Sequence, residues 1–460
     1  MTLIKSISGI RGTIGGRPGS NLTPIDIVEF AAAYASHLLD NNKTVVVVIG
    51  RDGRLSGPHV QSLVVQTLLM MGVDVIDLGL STTPTVELMV THLNASGGII
   101  ITASHNPKEW NALKFLNQHG EFIDAKTGEQ LLNLAQTRQF NFANVDQIGS
   151  RTSPKVNQFE HHISQLLALP TVHPSAIRKV NFTVVVDCIN STGGLLLRPL
   201  MERLGCRVIL LHDADYGEFS HNPEPLEQNL DALRHAVVAH EAHLGVAVDP
   251  DVDRLAFVDE QGNYCGEEYT LVMIADWVLR HQPGSTVSNL SSTKALREIT
   301  VGHGQKYHAA AVGEVNVVTK MKEVEATIGG EGNGGVIYPE LHYGRDAAVG
   351  VALLLSALAY HKETLSAYRN RFPNYTIIKN KIQLTPEINV DELLSSLAAL
   401  HAEQEVDTQD GVKIYFDNGW VHCRKSNTEP IIRIYAESTT SDEAHQLAYR
   451  VQIDIDEILK

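Results

Sequence analysis

Cysteine is scarce in this chain. There are four among 460 residues, Cys188, Cys206, Cys265 and Cys423, and no two form a CxxC pair. That spacing excludes a zinc ribbon and gives no disulfide framework. No stretch is both uncharged and continuously apolar over the roughly 20 residues needed to cross a bilayer. The start, Met1-Thr2-Leu3-Ile4-Lys5, lacks the basic and then apolar regions of a secretory signal. Basic residues are also in deficit, 37 Lys and Arg against 53 Asp and Glu, for a net charge of −16. A broad surface for nucleic acid or acidic lipid is therefore excluded, because such partners need clustered cations. The expectation is a cytoplasmic monomer or homodimer with no nucleic-acid and no membrane partner. An anionic small molecule stays compatible if arginines gather locally.

What is present is ordinary globular material, 43% apolar and 20% charged, in a chain too long for one core. Ser8-Gly9-Ile10-Arg11-Gly12 reads as a glycine-flanked turn carrying one arginine. Thr23-Pro24 opens a helical pattern to residue 38, with threonine as N-cap. A β-branched strand at 44–49, the loop Gly50-Arg51-Asp52-Gly53-Arg54, a helix at about 58–71, Gly72 and a strand at 73–78 then form a strand–helix–strand unit. The same order returns at 182–187, Ser191-Thr192-Gly193-Gly194, a helix to Leu204, Gly205 and a strand at 207–211, and a fainter copy begins at 286–290. From Pro373 the pattern changes to a strand at 375–384, a helix at 390–401, a hairpin of 412–416 and 420–423, a strand at 431–436 and a helix from Ser441. The expected fold is α/β, with three tandem related α/β domains (1–155, 156–262 and 263–372) plus a smaller C-terminal α+β domain (373–460).

Four loops carry chemistry. An apolar strand ends in Thr102-Ala103-Ser104-His105-Asn106-Pro107, which places a serine and a histidine at the mouth of a sheet. Ser104 is the candidate nucleophile; a polar turn is the competing reading. A second strand, at 244–248, leads into Asp249-Pro250-Asp251-Val252-Asp253-Arg254. Carboxylates at alternate positions of extended backbone point the same way and repel unless a cation offsets them. An all-oxygen set suits Mg²⁺ better than Zn²⁺, and an acidic surface turn is the alternative. If the units pack side by side, these two loops face one cleft.

The third loop, Gly329-Gly330-Glu331-Gly332-Asn333-Gly334-Gly335, contains a formal GxGxxG, but Val336-Ile337-Tyr338-Pro339 follows where a dinucleotide fold needs a helix. Its glycines permit close backbone approach, and Glu331 and Asn333 offer polar groups to sugar hydroxyls. A purely structural glycine turn competes with that reading. The fourth, Arg424-Lys425-Ser426-Asn427-Thr428-Glu429-Pro430 with Arg433 beyond, joins guanidinium forks to hydroxyls and reads as a phosphate pocket or else a basic hairpin rim. His235, His240 and His243 miss the H-E-x-x-H spacing of a zinc protease and read as a solvated helix face.

In that order and at those separations, the four loops resemble the α-D-phosphohexomutase superfamily across the whole chain. The resemblance implies four domains around a central cleft and a phosphohexomutase that interconverts hexose or hexosamine 6-phosphate and 1-phosphate. It implies that Ser104 is phosphorylated, that Asp249, Asp251 and Asp253 hold Mg²⁺ with a phosphoserine oxygen, and that a hexose 1,6-bisphosphate is the intermediate. Glu331 and Asn333 would grip the sugar, with Arg254 also assigned to substrate. Arg424, Ser426, Asn427, Thr428 and Arg433 would bind the phosphate that is not being transferred. Arg11, His105 and Lys114 match positions near the transferring group, with Lys114 as the acid/base partner.

This chain departs from many relatives in having Asn333 where they have serine, and Gly335 where a histidine follows the next glycine. Both changes fall in the loop that reads the sugar. With Tyr343-Gly344-Arg345-Asp346, the GEGNGG loop makes phosphoglucosamine the first substrate choice, followed by phosphoglucose and phosphomannose. A serine hydrolase is disfavoured because no G-x-S-x-G elbow surrounds Ser104. A sugar phosphatase and a non-catalytic sugar-phosphate-binding protein are the remaining alternatives.

Overall fold

Along strand Val46–Arg51, alternate side chains go to opposite faces. Val47 and Ile49 pack with helices Pro24–Asn41, Gly57–Met70 and Ala125–Thr137, whereas Val48 packs with helix Thr83–His92. Burial on both faces explains the unbroken β-branched run. The protein is described here by a computed structural model covering residues 2–6, 9–41, 44–384, 388–425 and 431–459.

The first sheet has seven strands in the order Ile4–Ser6, Gly9–Thr13, Trp110–Leu116, Gly97–Ile101, Val46–Arg51, Asp74–Leu80 and Arg151–Thr152. Its centre is parallel, and Trp110–Leu116 and Gly9–Thr13 extend it antiparallel. Gly9–Thr13 is thus a strand and not the turn expected at Ser8–Gly12, of which Ser8 lies outside the described residues. The reason is a close approach. At Gly9, with φ +148°, an added Cβ would stand 2.0 Å from the Leu113 carbonyl oxygen, so only glycine lets the two strands pair there.

The second sheet runs Leu255–Asp259, Leu244–Val248, Thr183–Asp187, Arg207–Leu211; the last three of these are parallel and the first is antiparallel. Helix Asp231–Ala239 packs on it through Leu233 and Val237. That helix stops before His240 and His243, which are therefore not on a helix face; His243 Nδ1 accepts from the Thr183 amide at 2.9 Å. A third set of parallel strands is Tyr307–Ala310, Thr286–Asn289 and Ile328–Glu331. Glu331 ends a strand, so the first residues of the expected glycine loop, Gly329 and Gly330, are strand as well.

The C-terminal sheet is antiparallel, in the order Thr376–Gln383, Ile431–Ser438, Gly419–Lys425, Val412–Phe416, Glu405–Asp407. Ile432, Ile434, Val421 and Cys423 face helices Val390–Leu400 and Ser441–Ile458. The other face carries Trp420, His422 and Arg424 opposite Glu437, Tyr435 and Arg433. Three α/β sheets and a smaller C-terminal α+β domain are what the repeat pattern predicts. The chain divides into two compact units, residues 1–270 with 333–368, and residues 271–332 with 369–460. Among the described residues, no helix is long and apolar enough to cross a membrane.

Candidate active site

The serine loop is shaped by a residue that is distant in sequence. Ser104 is 7% exposed and left-handed at φ 48°, a conformation that a non-glycine residue holds only when its surroundings fix it. The fixing group is Arg54, which is fully buried. Its Nη2 donates to the carbonyls of Ser104 at 2.5 Å and Asn106 at 2.7 Å, and its Nη1 to those of Pro107 at 2.7 Å and Trp110 at 2.9 Å. Its Nε donates to Asp52 at 3.0 Å, and Asp52 also accepts from the Thr102 hydroxyl at 2.6 Å. Every guanidinium N–H is thereby satisfied. Sequence reasoning missed Arg54 as a functional residue. The signal available was an Asp and two Arg in a glycine loop directly after a buried strand.

Strand Leu244–Val248 delivers the three aspartates beside that loop. All three are fully buried, and one carboxylate oxygen from each lies within 4.8 Å of the others. The Ser104 hydroxyl donates to Asp249 Oδ2 at 2.6 Å. Asp251 Oδ2 accepts from Thr83 at 2.6 Å and from Lys114 Nζ at 2.9 Å, while Asp253 Oδ2 accepts from Arg345 at 2.6 Å. The second unit's glycine loop supports the turn, since the Ser191 and Thr192 hydroxyls both donate to the Pro250 carbonyl.

Burial and the neighbouring Asp253 and Asp251 push Asp249 well above the usual carboxylate range. Burial alone would raise Asp251 too, but Lys114 and Thr83 outweigh it and hold that carboxyl low. For Lys114, burial works against the charge, and the Asp251 and Asp253 carboxylates reverse the balance and keep it above the ordinary lysine range. His105 lies well below its usual value, through burial and the positive charges of Arg254, Arg11 and Arg345. Its Nδ1 is 3.4 Å from the Ser104 hydroxyl. Arg11 and Lys114 share one face of their strand pair, because Arg11 is opposite Ala112 and Gly9 is opposite Lys114. Arg254 reaches Glu224 at 3.1 Å.

Tyr343-Gly344-Arg345-Asp346 serves this site structurally. Arg345 holds Asp253, and Asp346 caps helix Ala347–His361 by accepting from the amides of Ala348 and Val349. Asp346 also meets His162 at 2.8 Å and His342 at 3.3 Å, and His342 lies 3.2 Å from Glu87.

The donor set fits a hard divalent cation. Oδ1 of Asp251 and Oδ1 of Asp253 are buried without a hydrogen-bond partner, and three buried carboxylates are unfavourable together without added positive charge. These orphaned oxygens are the ones a cation would satisfy.

The described sugar and phosphate candidates Glu331, Arg424 and Arg433 belong to the unit formed by residues 271–332 and 369–460. Glu331 is buried, and its Oε1 accepts from Asn289 at 2.9 Å and from the Gly313 amide at 3.2 Å. Asn333 belongs to the other unit, where its Oδ1 accepts from the Gly335 amide at 3.2 Å. Ser426, Asn427 and Thr428 lie outside the described residues. At the base of their loop, Arg424 and Arg433 are directly opposite each other on neighbouring antiparallel strands, with Lys381 next in the row. Like charges in opposed positions are destabilising unless an anion joins them. Nε of Arg424 is buried without a partner.

The chain matches the family description Phosphoglucomutase/phosphomannomutase, alpha/beta/alpha domain I over residues 3–142, domain II over 159–262, domain III over 266–375, and the C-terminal domain over 385–452. It is 35% identical over 443 residues to a phosphoglucomutase/phosphomannomutase of Thermococcus kodakarensis, covering 95% of this chain and 96% of that one. A probable phosphoglucosamine mutase of Methanopyrus kandleri is 30% identical over 443 residues, with 96% and 95% covered. Among solved structures, a phosphoglucomutase/phosphomannomutase family protein from Burkholderia thailandensis superposes with a TM-score of 0.85 at 26% identity, covering 99% of this chain and 97% of that one.

Proposed function

Because this chain belongs to the phosphoglucomutase/phosphomannomutase family and is a phosphohexomutase, we propose that it interconverts glucosamine 6-phosphate and glucosamine 1-phosphate through a phosphorylated Ser104 and a 1,6-bisphosphate. Glucose or mannose phosphate is the alternative substrate, since relatives carry both kinds of name. The observation that carries the reading is the 2.6 Å contact between the Ser104 hydroxyl and Asp249 within a buried cluster of three carboxylates.

Asp249, Asp251 and Asp253, with an oxygen of phosphorylated Ser104, would hold Mg²⁺, whose chemistry when bound is to neutralise charge on the transferring phosphoryl group. The residues of the chain do the rest. Arg54 fixes the backbone of Ser104 so that Oγ is presented in one direction. In the first transfer a sugar hydroxyl oxygen bonds to phosphorus as the bond from phosphorus to Ser104 Oγ breaks; the hydroxyl loses a proton and Oγ gains one. We assign that proton traffic to Lys114, and assign His105 and Arg11 to positioning of the group in transit. Arg254, Glu331 and Asn333 bind the sugar, and Arg424 and Arg433, with Ser426, Asn427 and Thr428, bind the phosphate that stays. After the bisphosphate turns over, the second transfer returns the other phosphate to Ser104.

The test is an assay of the phosphorylated protein with Mg²⁺, a trace of the matching bisphosphate, and a panel of glucosamine, glucose and mannose 1-phosphates, following formation of each 6-phosphate. Highest kcat/KM on the glucosamine compound supports the substrate choice. Conversion of none of them sinks the mechanism, and phosphate release without isomerisation would make the protein a phosphatase. Mass analysis of the peptide containing Ser104 should show one phosphoryl group.

A further inference from the structure

A second cluster of ligating side chains sits in the second sheet, apart from the aspartates around Ser104. Asp187 ends strand Thr183–Asp187, and His212 directly follows strand Arg207–Leu211, its parallel neighbour. His221 closes the loop that leaves His212. Nδ1 of His212 is 3.0 Å from Asp187 Oδ1, and Nε2 of His221 is 3.0 Å from Asp187 Oδ2. The three side chains are 26%, 18% and 2% exposed for His212, His221 and Asp187 respectively. Their ligating atoms all lie within 4.8 Å of one another.

We propose that Asp187, His212 and His221 form a second metal site, which takes a divalent transition ion of the zinc class and pins the loop 213–220 over Arg54. Three observations support it. The first is ligand chemistry, since two imidazoles and one carboxylate are a borderline nitrogen and oxygen set that favours zinc-like ions, unlike the all-oxygen aspartate cluster. Ligands about 2.0–2.2 Å from a tetrahedral ion stand roughly 3.3–3.6 Å apart; here two of the pairs are 3.0 Å apart and all three atoms lie within 4.8 Å of one another.

The second is the state of His221. Its Nδ1 is 2.8 Å from the Asn222 carbonyl, so that nitrogen must carry a proton. Nε2 therefore faces an Asp187 oxygen either as a second N–H or as a lone pair with a cation between them. A backbone carbonyl fixing the far nitrogen is the usual outer support of a metal-bound histidine. Without metal, only an imidazolium satisfies the contact. A divalent ion would take the place of that proton.

Backbone strain is the third. His212, Ile189 and Asn190 are all left-handed, at φ 51°, 48° and 52°. Three such residues flank one cluster, and strain of this kind collects where the surroundings impose a geometry.

The loop held at its two ends by His212 and His221 reaches the serine loop. Phe219 lies over the Arg54 guanidinium, 5.1 Å from ring centroid to Cζ. The Gly217 amide donates to the Asn190 carbonyl at 2.9 Å, and a Cβ at Gly217 would stand 2.7 Å from the Leu55 amide nitrogen. An ion at the loop's neck would thus fix the cover over the residue that shapes Ser104, whichever sugar the enzyme prefers.

The test is calorimetric titration of Zn²⁺ into chelator-treated full-length protein in excess Mg²⁺, which occupies the oxygen site. One Zn²⁺ per chain is expected, with proton release, and affinity about a hundredfold weaker or lost in His221→Gln. Absence of Zn²⁺ binding by the parent, or equal binding by His221→Gln, overturns the site. Cobalt gives a check that needs no variant. Intense visible bands of four-coordinate Co²⁺ on the parent support it, and only the weak bands of six-coordinate Co²⁺ overturn it.

Discussion

Arg54 donates to the carbonyl of Ser104 at 2.5 Å, so the backbone of the proposed phosphate carrier is held by a side chain fifty residues earlier. The same guanidinium takes three further carbonyls of that loop. Lysine keeps the charge but cannot supply five N–H donors in a fixed fork. Arg54→Lys is expected to fold and to lose about a hundredfold or more in kcat, with a smaller change in KM, because a displaced nucleophile costs reaction and not ground-state binding. Steady-state kinetics check this; an unchanged kcat would show that the serine loop holds its own shape. Arg54→Ala should instead lower stability by about 3–5 kcal/mol, since Asp52 is left buried without its ion partner.

Much of the scaffold was legible because doubly covered parallel strands must be apolar on both faces. Strands Val46–Arg51 and Leu244–Val248, buried along nearly their whole length, stand where the apolar runs place them. Gly9–Thr13 was not legible, since Gly9 and Gly12 resemble a turn unless the opposing Leu113 carbonyl is known. Within the site, Ser104 and the three aspartates announce themselves by following buried strands. Arg54 does not, because four of its five hydrogen bonds go to backbone carbonyls, which have no residue signature. The basic cluster at Arg424 was visible, but its cross-strand register with Arg433 was not, because register is a property of pairing.

Asp251→Ala removes one carboxylate from the cluster and the closer of the two partners of Lys114, 2.9 Å away against 3.7 Å for Asp253. Mg²⁺ affinity should fall by at least about tenfold in calorimetric titration, and turnover should fall with it. Mg²⁺ binding equal to that of the parent would remove the aspartates from the metal site.

Ser104→Ala deletes the proposed carrier but leaves all three aspartates in place. The variant should still bind glucosamine 1-phosphate, measured calorimetrically, while forming no phosphoenzyme and showing no isomerisation. Retained isomerisation would exclude a phosphoserine route.

Arg424 and Arg433 bring two positive charges to opposed positions on neighbouring strands. Function and stability therefore pull in different directions here. Arg433→Met should raise KM for the sugar phosphate, through a lost charge-assisted hydrogen bond of about 1.5–3 kcal/mol. It should also leave the ligand-free protein as stable as before, or more stable by about 0.2–1 kcal/mol, because a like-charge contact is relieved. Thermal unfolding with and without ligand separates the two effects. A fall in stability of the free protein together with an unchanged KM would make Arg433 a structural residue.

His342 supplies the pH dependence. Burial would lower its pKa, but the contacts with Asp346 and Glu87 raise it from 6.5 to about 10. In the folded protein the imidazolium is therefore held between two buried carboxylates at neutral pH. The unfolded chain releases that proton near pH 6.5 and the folded one near pH 10, so the stabilisation is fully present below the first value and lost as pH rises through the second. Between the two, this one group lowers stability by at most about 1.4 kcal/mol per pH unit. His342→Gln removes the titration. Denaturant unfolding of parent and variant should thus show a stability difference that is largest below about pH 6.5 and shrinks steadily as pH rises toward 10. A difference that does not change with pH would mean that His342 is neutral, and that Asp346 is held down by His162 alone.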